Sequence, residues 1–291
     1  MKIIVTGATG QLGSDICSEL SAAGDEVRGL SHSDLELNDF DAVRKYLVSI
    51  QPDVIVNTAA YHNVELCETN PEEAGHLNAE LPALLATLSN EIKFKLIHIS
   101  TDYVFDGAKN APYSEKDKAN PLNNYGRTKL QGEEAIASIG SDYIIMRVSA
   151  IYGINPCRAK NGLNFIRLML KLANEKGEVT VVNDEFVSPT ATQNIAEQIR
   201  ACLQHDIKGL VHATSEGSCT WYEFAKEIFE YSKTPVTLHK AIPSTTPPKV
   251  MRPKYSVLEN SVLKESGINR MKHWKDSLHT YLDMILAAEA N

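Results

Sequence analysis

Tyr125 and Lys129 stand four residues apart in the run Tyr-Gly-Arg-Thr-Lys. On a helix, side chains at i and i+4 share one face, so the phenol and the ammonium project to the same side. A free tyrosine titrates near ~10; a neighbouring cation favours the phenolate and brings the group toward proton exchange at neutral pH. Taken alone, the spacing also describes a helix with one half-buried tyrosine and one solvated lysine. Two further features stand with it. Ser100, Thr101 and Asp102 lie where the apolar run beginning at Lys95 ends, and open α/β sheets present their chemistry at such strand ends. Gly7, Gly10 and Gly13 follow the apolar run Ile3, Ile4, Val5, and Leu12, Ile16 and Leu20 then recur at helical spacing. A strand, a glycine turn and a helix in that order make a phosphate cradle. Gly7 permits the turn, Gly10 lets backbone approach a pyrophosphate, Gly13 lets the helix pack on the strand, and the helix N-terminus offers its N–H groups. The spacing is GxxGxxG rather than the standard GxGxxG, and an ordinary strand-to-helix turn is the plainer alternative.

The elements that must position these residues alternate along the chain. Strands are expected at Ile3–Val5, Glu26–Leu30, Asp53–Asn57, Lys95–Ser100 and Asp142–Arg147. Helices are expected between them, near Asp39–Ser49, Pro71–Asn90 and Asn124–Ile139. This pattern predicts an α/β fold: a Rossmann-type, doubly wound parallel sheet with a smaller C-terminal substrate-binding portion. Residues 1–153 read as the dinucleotide-binding domain, completed by part of 190–240, and 154–291 as mainly the substrate-binding portion. Beyond Gly153 the regularity weakens: 154–162 is polar, a helix is expected at Asn164–Asn174, a strand at Val179–Asn183, and the proline-rich 242–254 reads as a surface loop.

Composition narrows the class. The chain has 291 residues, 43% of them hydrophobic, enough for a large core, and a formal charge of −8 that offers no basic surface to nucleic acid. No apolar segment approaches the ~18–20 residues that cross a bilayer, so no membrane partner is expected. Cys17, Cys67, Cys157, Cys202 and Cys219 are scattered without a CxxC pair, which reads as free thiols in a reducing cytoplasm with no metal site. The end of the second strand bears on cofactor choice. A fold that uses NAD carries an acidic residue there for the ribose 2′-hydroxyl. Here Leu30-Ser31-His32-Ser33 precedes the first carboxylate, Asp34. That favours NADPH, with NADH use left open.

The motifs TGATGQLG (6–13), NTAAY (57–61), LNAE (77–80), STDYVFDG (100–107), NPLNNYGRTKLQGE (120–133) and RVSAIYG (147–153) resemble those of the extended short-chain dehydrogenases/reductases. With FVSPT (186–190), TWYEFAKEIF (220–229) and RPKYSVLEN (252–260), nearly the whole chain is similar to the dTDP-4-dehydrorhamnose reductase branch of that family. The resemblance implies that Tyr125 donates the proton, that Lys129 binds the nicotinamide ribose and lowers the tyrosine pKa, and that Thr101 hydrogen-bonds the substrate carbonyl. It further implies a cofactor site of Gly7, Gly10, Gln11, Leu12, Gly13, Ser31, Glu36, Leu37, Ala59, Ala60, Tyr61, Asn78, Tyr125 and Lys129. Asn78 would support the lysine, although a polar helix residue or cap fits it equally well. The implied substrate site is Thr101, Asp102, Tyr125, Ala150, Asn164, Ser188, Thr190, Arg252 and Lys254. Arg252 is the strongest physical candidate for a diphosphate, because guanidinium binds phosphate oxygens in bidentate fashion; a solvated loop charge is its alternative.

Two departures concern the sugar. Where the family carries SWVYG this chain has Ser149-Ala150-Ile151-Tyr152-Gly153, and YTAVDKAE becomes Tyr61-His-Asn-Val-Glu-Leu-Cys-Glu68. Ala150 removes an aromatic surface, so a bulkier or differently substituted hexulose fits. The implied activity is NADPH-dependent reduction of a nucleotide-linked 4-keto-6-deoxyhexose, most simply dTDP-4-dehydro-L-rhamnose to dTDP-L-rhamnose. The alternatives are another sugar-nucleotide reductase or epimerase, and a non-catalytic regulatory subunit like that of methionine adenosyltransferase. The substrate is then a nucleotide sugar, and the reading leaves room for a homodimer.

Overall fold

The computed structural model describes residues 1–156, 162–242 and 248–289. Cys157 and part of the proline-rich stretch lie outside the described residues. The five expected runs form β1 (Lys2–Thr6), β2 (Glu26–Leu30), β3 (Val54–Asn57), β4 (Lys95–Thr101) and β5 (Tyr143–Val148), all but β2 rich in β-branched residues. With Gly209–His212 they make a parallel sheet in the order Gly209–His212, β5, β4, β3, β1, β2. The chain leaves β1 for β2 on one side and returns to β3 on the other. The carboxyl ends of β1 and β3 therefore diverge into a crevice, where such sheets bind ligands.

Both faces of the sheet are covered, which is why its strands read as apolar runs rather than alternating ones. Ile3, Val5, Val54, Val56, Ile97 and Met146 point to one face, against Leu12, Ile16 and Leu20 of α1 (Gln11–Ala22). Ile195 and Ile199 of the later helix Thr192–Gln204 pack there too. Ile4, Ile55, Leu96 and Ile145 point to the other. Their partners come from α2 (Phe40–Ile50), α5 (Leu81–Ile92) and α6 (Asn124–Ile139). Asp39 caps α2 by accepting from the Ala42 N–H at 2.9 Å, and Asn123 caps α6 by accepting from Gly126 at 2.9 Å.

The single helix expected over Pro71–Asn90 is broken into pieces. After α3 (Val64–Thr69) and α4 (Pro71–Gly75), residues His76–Glu80 form a π-helical turn before α5 begins. Pro82 has no N–H to give the Asn78 carbonyl, so the ladder widens there. Gly132 of α6 packs against that carbonyl, and a Cβ on it would lie 2.3 Å from the oxygen.

A second core lies beyond the sheet's carboxyl edge. It joins α7 (Phe165–Lys176) to the helices Trp221–Ser232 and Trp274–Glu289 through Ile166, Met169, Phe224, Ile228, Leu278 and Leu282. The strand expected near Val179 spans Glu178–Val181 and pairs in parallel with Thr237–Lys240.

Candidate active site

A cavity of about 680 Å³ opens between the sheet's carboxyl edge and the second core. Gly7, Gly10, Gln11, Leu12 and Gly13 form one end of it. Gly7 turns at φ +67°, and Thr58 and Ala59 press so closely that a Cβ would sit 2.7 Å from Thr58 Oγ1. At Gly13 a Cβ would fall 2.3 Å from the Gly7 carbonyl oxygen, so α1 rests directly on the turn. Gly10 differs: a Cβ there meets only the Gly7 oxygen, at 3.3 Å, and otherwise enters the cavity. Gly10 is the N-cap of α1 without a side-chain cap, and the first turn holds no acidic residue. The unpaired N–H groups suit an anion.

Ser31, Glu36 and Leu37 border the same end, together with His32, Leu35 and Asn38. Asp34 does not. Its carboxylate accepts from the Ser31 N–H at 2.8 Å and the Ser31 hydroxyl at 2.5 Å, which hold it below the usual carboxylate range. His32 Nδ1 lies 3.2 Å from Glu36 on the exposed rim.

At the middle of the cavity stand Thr101, Asp102, Tyr125 and Lys129. Thr101 ends β4, and the first turn of α6 brings Tyr125 beside it on the cavity wall. Thr101 Oγ1 also donates to Asp102 Oδ1 at 3.1 Å, and Ser149 donates to Asp102 Oδ2 at 2.9 Å. Burial raises Asp102 to about 6 against those hydrogen bonds. Burial pushes the Tyr125 phenol up, Asp102, Cys67 and Tyr103 add to this, and the opposing influence is the Thr101 hydrogen bond. The Lys129 Nζ is turned beneath the site, 2.7 Å from the Ile99 carbonyl and 3.0 Å from His98 Nε2. Burial lowers Lys129 to about 8, with Glu133 acting against it. One turn further along α6, Glu133 accepts from Arg147 of β5, Nε to Oε1 at 2.9 Å, and from the Ser100 hydroxyl. This buried pair ties α6 to the sheet.

The far wall belongs to the second core. Phe165 and Trp221 lie with ring centroids 4.6 Å apart, and both border the cavity. Glu185 also borders the cavity; burial raises its carboxyl while nearby Arg252 lowers it. Arg252 is exposed on a strap, residues 248–254, and its charge opposes the rise that burial causes in the Tyr103 phenol. Ala150 borders the cavity at φ +44°. Phe165 and Trp221 give the cavity an aromatic surface that Ala150 does not. Their sequence signals were the aromatic after Asn164 and the TWYEF run.

Five expected site residues lie off the cavity wall. Asn78 exchanges hydrogen bonds with the Tyr61 backbone, N–H at 2.9 Å and C=O at 3.0 Å, and donates to Thr128 Oγ1 at 3.1 Å. It fixes the loop after β3 to α6 rather than supporting Lys129. Tyr61 points away, its hydroxyl accepting from Asn70 at 3.0 Å, whereas Ala59 and Ala60 do border the cavity. Ser188 donates to the Gly217 carbonyl at 2.9 Å and Thr190 to the Ser188 carbonyl at 2.8 Å, both fully buried. Lys254 pairs with Asp184 at 3.0 Å on the surface. Asn164 does border the cavity, but it caps α7 and donates to Tyr281 and the Gly153 carbonyl at 2.8 and 3.0 Å. Among the described residues no helix is long and apolar enough to cross a membrane.

The RmlD substrate binding domain model matches residues 1–287. The spore coat polysaccharide biosynthesis protein SpsK of Bacillus subtilis (strain 168) is 39% identical over 281 residues, 97% of this chain and 96% of its own length. The dTDP-4-dehydrorhamnose reductase of Escherichia coli (strain K12) is 34% identical over 304 residues, covering 100% of both chains. The crystal structure of dTDP-4-dehydrorhamnose reductase from Bacillus anthracis str. Ames in complex with NADP aligns with a TM-score of 0.91 at 32% identity. That alignment covers 98% of this chain and 100% of the other.

Proposed function

The chain belongs to the RmlD substrate binding domain family of extended short-chain dehydrogenases/reductases, and from that premise we propose that it reduces a nucleotide-linked 4-keto-6-deoxyhexose with NADPH. The substrate we assign is dTDP-4-dehydro-L-rhamnose, giving dTDP-L-rhamnose. The observation that carries the reading is that Thr101, Tyr125 and Lys129 stand together on the cavity wall, the lysine one helical turn beyond the tyrosine.

The residues fit the dinucleotide. The bare N-terminus of α1 takes the pyrophosphate, and Ala59 and Ala60 carry too little side chain to block its approach. NADPH is preferred because Asp34, the first carboxylate after β2, lies off the cavity wall with its oxygen taken up by Ser31, and so does not face the ribose 2′ position. The NADP of the Bacillus anthracis relative supports this choice. When bound, the cofactor supplies the hydride. Thr101 and Tyr125 hold the substrate carbonyl oxygen, and the Tyr125 O–H gives its proton as that oxygen gains negative charge. Arg252 takes the diphosphate from the strap, and Phe165 with Trp221 forms the aromatic wall.

A second reading is favoured by Ala150 together with that aromatic wall: a differently substituted keto sugar on the same chemistry. Loss of NADPH absorbance with a panel of 4-keto-6-deoxy sugar nucleotides tests both. Fastest turnover of the rhamnose precursor supports the first, another sugar the second, and no turnover with any refutes both.

A further inference from the structure

Lys129 rests on a row of buried polar side chains that the proposed reaction does not use. Thr6, Asn57 and His98 occupy matching positions on β1, β3 and β4, so the sheet's register lines them up on one face. Thr6 Oγ1 lies 2.7 Å from Asn57 Oδ1, Asn57 Nδ2 is 3.1 Å from His98 Nδ1, and His98 Nε2 is 3.0 Å from Lys129 Nζ. Asn57 and His98 are 0% exposed, Lys129 2% and Thr6 3%, so wherever two of these groups face each other a donor must meet an acceptor.

We propose that His98, held by Asn57 as its uncharged Nδ1–H tautomer, positions Lys129 by accepting a hydrogen bond from its ammonium group. An ammonium has three donors and no acceptor, and a neutral imidazole has one N–H and one lone pair. An Nε2–H facing a charged Lys129 at 3.0 Å sets two donors head to head. While Lys129 is charged, Nε2 is therefore the acceptor and the ring proton sits on Nδ1. Asn57 meets it by a half-turn of its amide, which presents Oδ1 to the ring and Nδ2 to Thr6 Oγ1. His98 and the Ile99 carbonyl then occupy two of the three ammonium protons, and the third is left for the cavity.

The charged and titratable groups around Lys129 are consistent with this. On α6 they are Tyr125 and Glu133, and Glu133 is already held by Arg147 of β5 and Ser100 of β4. On β4 the group is His98 itself. Burial and the Lys129 charge keep His98 far below its ordinary value, while Lys129 titrates at about 8. At neutral pH the lysine is charged and the histidine is not.

The proposal's consequence for turnover rests on the function proposed above, whereas the tautomer does not. Nitrogen NMR of the histidine rings in the full chain, with His98 assigned from His98→Gln, is read just below neutral pH. A protonated Nδ1 beside a bare Nε2 is expected. An Nε2–H ring, or a doubly protonated one, overturns the proposal without any need for activity. Next, His98→Leu removes the acceptor, while His98→Gln places an amide oxygen near the position of Nε2. The alkaline limb of turnover against pH should move acidward by about one unit in the leucine variant, a tenfold change in proton affinity. It should return in the glutamine variant. A folded leucine variant with an unmoved limb, or equal shifts in both, also overturns it. Where the leucine variant does not fold, the wild-type tautomer decides. A wild type with the expected tautomer but no turnover of any sugar nucleotide refutes only the proposed function.

Discussion

Gly10 and Gly13 separate cofactor affinity from stability, three residues apart on one turn. At Gly13 an added Cβ lies 2.3 Å from the Gly7 oxygen and 2.8 Å from Ala8 Cα, and both are backbone atoms that cannot swing aside. Gly13→Ala forces α1 off the turn, an overpacking that costs about 1–3 kcal/mol. At about 2–4 °C per kcal/mol for a chain of roughly this size, the melting temperature drops by several degrees. At Gly10 the backbone is already extended, φ −85° and ψ 170°, and the protein offers an added Cβ only one contact, at 3.3 Å. Gly10→Val therefore changes stability by about 1 kcal/mol or less, mainly through the poorer N-cap. Its branched side chain enters the space assigned to the pyrophosphate. Losing one or two hydrogen bonds to a charged group, at about 1.5–3 kcal/mol each, weakens NADPH binding at least tenfold. Thermal denaturation followed by circular dichroism reads the first effect, and fluorescence titration with NADPH reads the second. The reasoning fails if Gly10→Val binds NADPH like the wild type, or if Gly13→Ala melts unchanged.

Three further outcomes follow from the site. Tyr125→Phe should lower turnover by about 10²–10⁴-fold while NADPH still binds, and near-normal turnover would remove the tyrosine from the chemistry. Arg252→Ala should raise the KM for the sugar nucleotide and leave the NADPH Kd unchanged; equal weakening of both ligands, or of neither, rules out the strap as the diphosphate clamp. Asp102 is raised to about 6 in the fold, so the native state binds its proton more tightly than the unfolded chain. Its contribution is complete below about pH 4 and is lost as pH rises through about 6, on the order of 2–3 kcal/mol. Urea unfolding of wild type and Asp102→Asn across that window should show the wild type losing stability relative to the variant, and parallel curves would contradict this.

Local spacing carried much of the architecture. The glycine turn, the alternating strands and helices, and the face shared by Tyr125 and Lys129 are written within a few residues of one another, where backbone geometry alone relates them. What was not legible depends on contacts between distant segments. The Lys129 ammonium turns toward His98 because β4 brings an acceptor beneath it, and no spacing within α6 announces that. Asn78 looked like support for the lysine, yet the break at Pro82 and the close approach of Gly132 set its side chain against Tyr61. Ser188 and Thr190 carry hydroxyls that suit a sugar, but both are consumed by carbonyls in the loops that join the two cores. Phe165 and Trp221 come from different helices, and their shared wall exists only once those helices pack.

The buried Glu133–Arg147 pair divides the enzyme into a part that evolution is constrained to keep and a part it is free to alter. A one-turn slip of α6 would strand a guanidinium and a carboxylate inside the protein, a loss of about 3–5 kcal/mol, so the helix bearing Tyr125 and Lys129 has a single tolerable seat. Among the described residues no such buried ion pair fastens Ala150 or the Phe165–Trp221 pair to that helix, and the strap is tied to it only by the Asn123 amide, which donates to the Met251 carbonyl at 2.9 Å. Descendants of this sequence can therefore exchange one sugar for another by replacing residues on the far wall, generation after generation, without disturbing the apparatus that moves the proton.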